Sequence, residues 1–164
     1  ITLDADSAPI TVSNFCKLAS SGYYNGLTFY RFQNGFCMQG GTKGNTASGS
    51  DSSLTPIKGE FSSNGIKTNK LADSFGKGTI AMARTQNKDS ATSTFFITLG
   101  DSSSVGPSLD GQYAAFGTID SAGMETVNKI VSDHADAANS DTSGMGMIND
   151  QSKQAVIESL VIDD

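Results

Sequence analysis

Phe29-Tyr30-Arg31-Phe32-Gln33-Asn34-Gly35-Phe36-Cys37-Met38-Gln39-Gly40-Gly41 reads as two strand-like runs joined by a turn. Asn-Gly between such runs is a hairpin signal, so residues 36–39 fold back beside residues 29–32. A period of two places Leu27, Phe29, Arg31 and Gln33 on one face of the first run, with Tyr30 and Phe32 on the other. The hairpin brings Arg31 and Gln39 within reach of Phe36. Of eleven Lys plus Arg in the chain, only Arg31 and Arg84 are arginine. Arg31 is either a solvated charge at the sheet surface or a fixed donor over a small pocket with an apolar floor. Spacing alone leaves both open.

The rest of the composition bounds the answer. A chain of 164 residues is one domain over 1–164, long enough to bury a core. Hydrophobic residues at 37%, charged residues at 17%, 18 Gly and 3 Pro favour short strands and many turns, an all-β or α+β class. The net charge of −6 argues against nucleic acid or an anionic membrane as partner, because phosphate binding needs clustered Lys and Arg. No apolar run approaches the roughly 18 residues of a membrane span, so a soluble protein is expected; separately, a monomer is expected. Cys16 and Cys37 fit neither a disulfide framework nor a zinc site and are expected to be free thiols. The abundance of Ser, Thr, Asn and Asp leans toward an extracytoplasmic protein. The chain begins at Ile1, so any signal or anchor segment is expected to have been removed already.

Outward from the hairpin, residues 1–3 read as the end of a first strand. Val12, Phe15, Cys16 and Ala19 recur at helical spacing, with Ser7 as N-cap, Pro9 in the first turn and Gly22 as the stop. Residues 42–50 are Gly- and Ser-rich but lack the spacing of a phosphate-cradling loop, and read as surface. In residues 78–85, Ile80 and Met82 alternate with Thr79, Ala81 and Ala83 as a strand does, and Arg84 ends it, facing solvent or a ligand. Phe95 and Phe96 fall on opposite faces of the next strand, so one of them is core. Met124, Val127, Ile130 and Val131 mark a second amphipathic helix over 123–131. Residues 132–146 read as loop, and 155–163 as a closing strand in which Val156, Glu158, Leu160 and Ile162 oppose Ile157 and Val161. His134, the lone histidine, reads as a surface residue. With no G-x-S-x-G elbow, neither a hydrolase nor a metal site is expected.

The run Phe29-Tyr30-Arg31-Phe32-x-x-Gly35-Phe36-x-x-Gln39-Gly40-Gly41 resembles the F-H-R-V-x-x-G-F-x-x-Q-G-G signature of the cyclophilin family. Ala8-Pro9-x-Thr11-Val12-x-Asn14-Phe15, Gly78-Thr79-Ile80-Ala81-Met82-Ala83-Arg84, Ser90-x-x-Ser93-x-Phe95-Phe96-Ile97 and Leu109-Asp110-Gly111-x-Tyr113-x-x-Phe116-Gly117 extend the likeness. Pro56-Ile57-x-Gly59-Glu60-Phe61-x-x-Asn64-Gly65 resembles the bacterial type. The resemblance implies a mostly β fold, a closed antiparallel eight-stranded β-barrel capped by two α-helices. It implies a peptidyl-prolyl cis-trans isomerase that assists protein folding, acts on proline-containing polypeptides, and uses no cofactor or metal. Arg31, Phe36 and Gln39 would be catalytic; Cys37, Ala83, Arg84, Thr94, Phe96, Leu109 and Tyr113 would bind substrate. The chain departs from the pattern at Cys37 (usually Met), Thr94 (usually Gln), Tyr113 (often His) and Ser108 (Trp in eukaryotic members), and residues 100–108 read as a longer loop. Weak cyclosporin binding is therefore expected, and the alternative to an isomerase is a module that binds Pro-containing segments with little turnover.

Overall fold

The computed structural model describes residues 1–163. Its elements in chain order are β1 (Thr2–Leu3), α1 (Pro9–Ser20), β2 (Thr28–Gln33), β3 (Cys37–Gly40), β4 (Thr79–Met82), β5 (Phe95–Thr98), α2 (Ser102–Leu109), β6 (Ala115–Thr118), α3 (Ser121–Asp133), α4 (Ala135–Asn139) and β7 (Ala155–Val156). The strands form one antiparallel sheet in the order β1-β6-β4-β5-β3-β2-β7. The expected closed barrel of eight strands is thus a sheet of seven with an open seam, since among the described residues no ladder joins β1 to β7. The cause lies near the end of the chain. Ala155 and Ile157 pack on the core, but so do Leu160 and Ile162, which are out of phase with them. The consecutive exposed pair Glu158 and Ser159 shifts the alternation, and a ladder with one buried face cannot run through such a shift. Residues 159–163 instead face β1 across a cleft of about 540 Å³.

Alternation along the strands sorts the apolar side chains into two layers. On one face Phe32, Met38, Ile80, Met82, Phe95, Ile97 and Phe116 meet Val12, Phe15 and Leu18 of α1 and Met124 and Val127 of α3. Phe15 is central, its ring centroid 5.2 Å from Tyr24, 5.5 Å from Phe95 and 4.9 Å from Phe116. On the other face Cys37, Ala81, Phe96 and Ala115 meet Phe61, Phe75, and Val105 and Leu109 of α2. The helix α2 occupies a stretch that composition marks as loop. Asp101 caps it by accepting from the Ser104 N–H at 3.1 Å, and Val105 and Leu109, one turn apart, bury its inner face. Helices α1 and α3, with Ala138 of the short α4, therefore cover the first face, and α2 covers the second. The short α4 lies in another segment expected to be loop. Among the described residues no helix is long and apolar enough to cross a membrane.

Pro9 lies in the first turn of α1 as expected, but the cap is not Ser7. The N-cap residue is Ala8, whose methyl group cannot accept a hydrogen bond, and the Ser7 N–H is bound to Asp4 Oδ1 at 2.9 Å. The side chain of Glu60, only 3% exposed, fills the role from elsewhere in the chain. Its Oε1 accepts from the Ile10 N–H at 3.1 Å, and its Oε2 from the Thr11 N–H at 2.8 Å and the Thr11 hydroxyl at 2.7 Å. A carboxylate there satisfies the orphan donors of the first turn and complements the helix dipole.

Candidate active site

Strand β2 carries a bulge. Phe29 pairs with Gly40 and Arg31 with Gln39, so Tyr30 is the extra residue. Simple alternation sets Phe29 beside Arg31 and Tyr30 beside Phe32. The bulge instead turns Phe29 and Phe32 into the first core, where Phe29 meets the Phe95 ring at 5.6 Å, and turns the Tyr30 hydroxyl toward Gln39. Glycine makes this possible, because a Cβ at Gly40 would sit 2.2 Å from the Thr28 carbonyl oxygen. Register across β2, β3, β5 and β4 then lines up Arg31, Gln39, Phe96 and Ala81 in one row on the outer face.

That row borders a cavity of about 170 Å³ lined by Arg31, Phe36, Cys37, Gln39, Ala83, Arg84, Phe96, Leu109 and Tyr113. Every residue expected from the sequence to act or to bind is gathered here except Thr94. Thr94 lines an adjoining groove of about 350 Å³ that shares Gln39, Ala83 and Arg84 with the cavity and adds Tyr30, Thr42 and Asp51. Phe36 belongs to the turn rather than to the returning strand, since Gln33 pairs with Cys37. Its N–H donates to the Gln33 carbonyl at 3.0 Å and its carbonyl accepts from Leu99 N–H at 2.9 Å, which fixes the ring at the cavity wall. Phe96 is held from below and from the side, stacked on Phe75 at 6.3 Å and edge-on to Tyr113 at 5.6 Å.

The guanidinium of Arg31 is immobilised. Its Nε donates to the Met145 carbonyl at 3.0 Å, one terminal nitrogen donates to Gln39 Oε1 at 3.1 Å, the other donates to Gln33 Oε1, and its carbon lies 5.7 Å from the Phe36 ring centroid. Gln39 in turn donates from Nε2 to the Tyr30 hydroxyl at 3.0 Å, which orients its carbonyl toward Arg31. Tyr30 went unrecognised in the sequence because the bulge that turns its hydroxyl toward Gln39 depends on its partner strand. Burial raises the Tyr30 phenol above its ordinary pKa, with the Gln39 hydrogen bond opposing. Arg84, partly exposed, is not a loose strand-end charge. It lies 4.7 Å from the Tyr113 ring and 5.2 Å from Phe61, and donates to the Gln112 carbonyl at 3.0 and 2.8 Å and to the Thr85 carbonyl at 2.9 Å.

A family model described as cyclophilin type peptidyl-prolyl cis-trans isomerase matches residues 1–157. The chain belongs to the cyclophilin family. A peptidyl-prolyl cis-trans isomerase of Acinetobacter baylyi is 40% identical over 157 residues, covering 95% of this chain and 74% of the relative. Isomerase A of Dickeya dadantii is 39% identical over 131 residues, 79% of this chain and 64% of the relative. Isomerase B of Escherichia coli is 40% identical over 131 residues, 76% and 73%. Among solved structures, a cyclophilin of Cryptosporidium parvum determined in the presence of the dipeptide Ala-Pro superposes with a TM-score of 0.75 at 27% identity, covering 99% of this chain and 90% of the other. The fold of this cyclophilin and the likeness read from its hairpin agree.

The departures from the cyclophilin pattern fall in different places. Thr94 and the exposed Ser108 lie outside the 170 Å³ cavity, and only Cys37 and Tyr113 line it. Cys37 is 1% exposed, and burial pushes its thiol up to about 11, against a smaller downward pull from Arg31. Cys16, expected on the apolar face of α1, packs against the core there but is only partly buried. Both are free thiols. Timed alkylation of the native protein should therefore label Cys16 first and Cys37 far more slowly. Peptide mass spectrometry checks this, and equal rates would contradict the burial of Cys37. His134 is likewise not a bare surface residue. It stacks on Phe32 at 5.6 Å and its Nδ1 lies 2.8 Å from the Lys153 carbonyl. Among the described residues no three His, Cys, Asp or Glu side chains gather as metal ligands do.

Proposed function

We propose that the 170 Å³ cavity grips the ring of a proline in a polypeptide and that Arg31 lowers the barrier to rotation about the preceding peptide bond. That barrier is about 18–20 kcal/mol because the C–N bond has partial double-bond character. As the bond twists, the nitrogen lone pair leaves resonance and becomes an acceptor. A donor that meets it only then stabilises the transition state more than the ground state. Arg31 is built for that. A guanidinium carries five N–H groups, and the three bonds to Met145, Gln39 and Gln33 leave one on each terminal nitrogen for the cavity. Phe36, Phe96, Leu109 and Cys37 make the apolar ring site, Gln39 holds the substrate backbone, and Ala83, Arg84 and Tyr113 form the rim over which an extended chain passes. Thr94 acts one step away, in the groove that takes the flanking residue. Nucleophiles, metals and proton transfers have no part in this scheme.

The observation that carries the reading is the single row Arg31, Gln39, Phe96, which sets a fixed cation beside an apolar floor. A protease-coupled assay on an X–Pro peptide tests it, and a chain that binds such peptides without accelerating their isomerisation would be a capture module instead. Cys37 and Tyr113 are the departures inside the cavity, so the row itself is intact and turnover is the expected result.

Cyclosporin should bind weakly. In cyclophilins that hold it tightly, an indole at the position of Ser108 packs on the ligand and donates a hydrogen bond. Serine lacks the ring, and on α2 its side chain is exposed beside the cavity rather than lining it. The lost hydrogen bond is worth about 0.5–1.5 kcal/mol, and a third of an aromatic's 150–250 Å² of burial adds about 1–2 kcal/mol. Affinity falls by roughly 10- to 10³-fold. A calorimetric dissociation constant at or below about 10 nM would mean that another ring, such as Tyr113, replaces the indole.

A further inference from the structure

Arg31 takes one of its partners from far along the chain. The Met145 carbonyl that receives its Nε–H belongs to a segment paired with β2. Arg31 and Met147 form an antiparallel bridge, Phe32 N–H donates to the Gly146 carbonyl at 2.8 Å, and Ile148 N–H donates to the Tyr30 carbonyl at 2.8 Å. The approach is too close for any side chain at 146, where a Cβ would lie 2.1 Å from the Phe32 oxygen and φ is +71°.

Asp141 closes the loop that delivers this carbonyl. Its Oδ1 accepts from Ser143 N–H at 3.0 Å, and its Oδ2 accepts from the Ser143 hydroxyl at 2.6 Å and from Met147 N–H at 2.9 Å. The Ser143 hydroxyl oxygen accepts from Met145 N–H at 3.2 Å. One carboxylate thus holds the loop on both sides of Met145. These bonds keep its pKa down at about 2, so it is ionised throughout the neutral range.

We propose that Asp141 is a positioning residue for Arg31: by closing the loop over 141–147 it fixes the Met145 carbonyl, which with Gln39 and Gln33 sets the plane of the guanidinium over the proline cavity. The inference rests on the reading of Arg31 as the catalytic donor. A planar group bound at three nitrogens cannot tilt; released at Nε, it rocks about the other two. A donor displaced by about 1 Å costs up to 10²-fold in rate, and the loss falls on kcat rather than KM because ground-state binding uses the apolar floor.

The test is a double-mutant cycle in the isomerisation assay, with Asp141→Ala and Arg31→Ala alone and together. Asp141→Ala should lower kcat/KM roughly tenfold through kcat, and Asp141→Asn, which keeps one acceptor oxygen, should fall between it and the parent. In the Arg31→Ala background, Asp141→Ala should change activity by less than about twofold. Ser143→Ala, which removes the Met145 tie and leaves Asp141 bound to Met147, replaces Asp141→Ala in the cycle if that variant does not fold, with the same direction expected. Equal losses in both backgrounds, or a rise in KM alone, would overturn the role of Asp141 while leaving Arg31 as donor. An Arg31→Ala variant of near-parental activity would overturn the donor reading and this inference with it.

Discussion

Replacing Arg31 by alanine is expected to lower kcat/KM for an X–Pro peptide by roughly 10²–10³, the loss of one preorganised donor worth about 2.7–4 kcal/mol in the transition state. The magnitude follows from how little the side chain has to reorganise. Its three hydrogen bonds and its contact with the Phe36 ring hold it in place before substrate arrives. Arg31→Lys should recover only part of the loss, because an ammonium is a point charge on a flexible stem and cannot satisfy Met145, Gln39 and Gln33 while still donating into the cavity. Folding should hardly change, since the guanidinium is partly solvated and its partners are accessible to water. Protease-coupled kinetics beside a thermal melt make the measurement. Near-full activity in the alanine variant would refute the mechanism.

Replacing Glu60 by alanine should have the largest effect on stability. The carboxylate is 3% exposed and receives three hydrogen bonds from the first turn of α1. Without it the Ile10 and Thr11 N–H groups lose their partner, the Thr11 side chain is left in a fully buried position, and no other cap stands nearby because the N-cap residue is Ala8. Hydrogen bonds to a charged group contribute about 1.5–3 kcal/mol and each stranded buried donor costs about 1–3 kcal/mol, so a net loss of about 3–5 kcal/mol is expected. For a chain of this length that is a fall of roughly 6–20 °C in Tm. Glu60→Gln keeps an acceptor oxygen and should lose less. Urea or thermal unfolding decides; an alanine variant within about 1 kcal/mol of the parent would show that water replaces the cap.

These two residues mark where the sequence was legible and where it was not. Arg31 and Gln39 were readable because both lie within one hairpin, whose Asn34-Gly35 turn sets the register locally. The helices α1 and α3 were readable from their apolar stripes. Glu60 was not, because the helix it caps is 49 residues away and nothing in a local pattern ties a glutamate to a distant N–H. Tyr30 was placed on the wrong face because a bulge is a property of two strands, and the glycine that permits it, Gly40, belongs to the other one. Arg84 read as a strand end because its Phe61 and Tyr113 neighbours come from separate segments. The last strand was misread because Val156, Glu158, Leu160 and Ile162 keep an apparent alternation through Glu158-Ser159, and only the burial of Ala155, Ile157, Leu160 and Ile162 shows the change of phase there.

The pairing of the segment around Met145 with β2 also bears on when this protein becomes an enzyme during its own synthesis. The hairpin bearing Arg31 and Gln39 is complete early, but the carbonyl that holds the guanidinium lies 114 residues further on. At roughly 5–20 residues per second, a ribosome needs about 6–23 s to add them. Through that interval a nascent chain carries Arg31 without its full set of restraints. The Met145 restraint is therefore added only when residues 145–148 are made, and a product terminated before them would display the hairpin motif without that hydrogen bond.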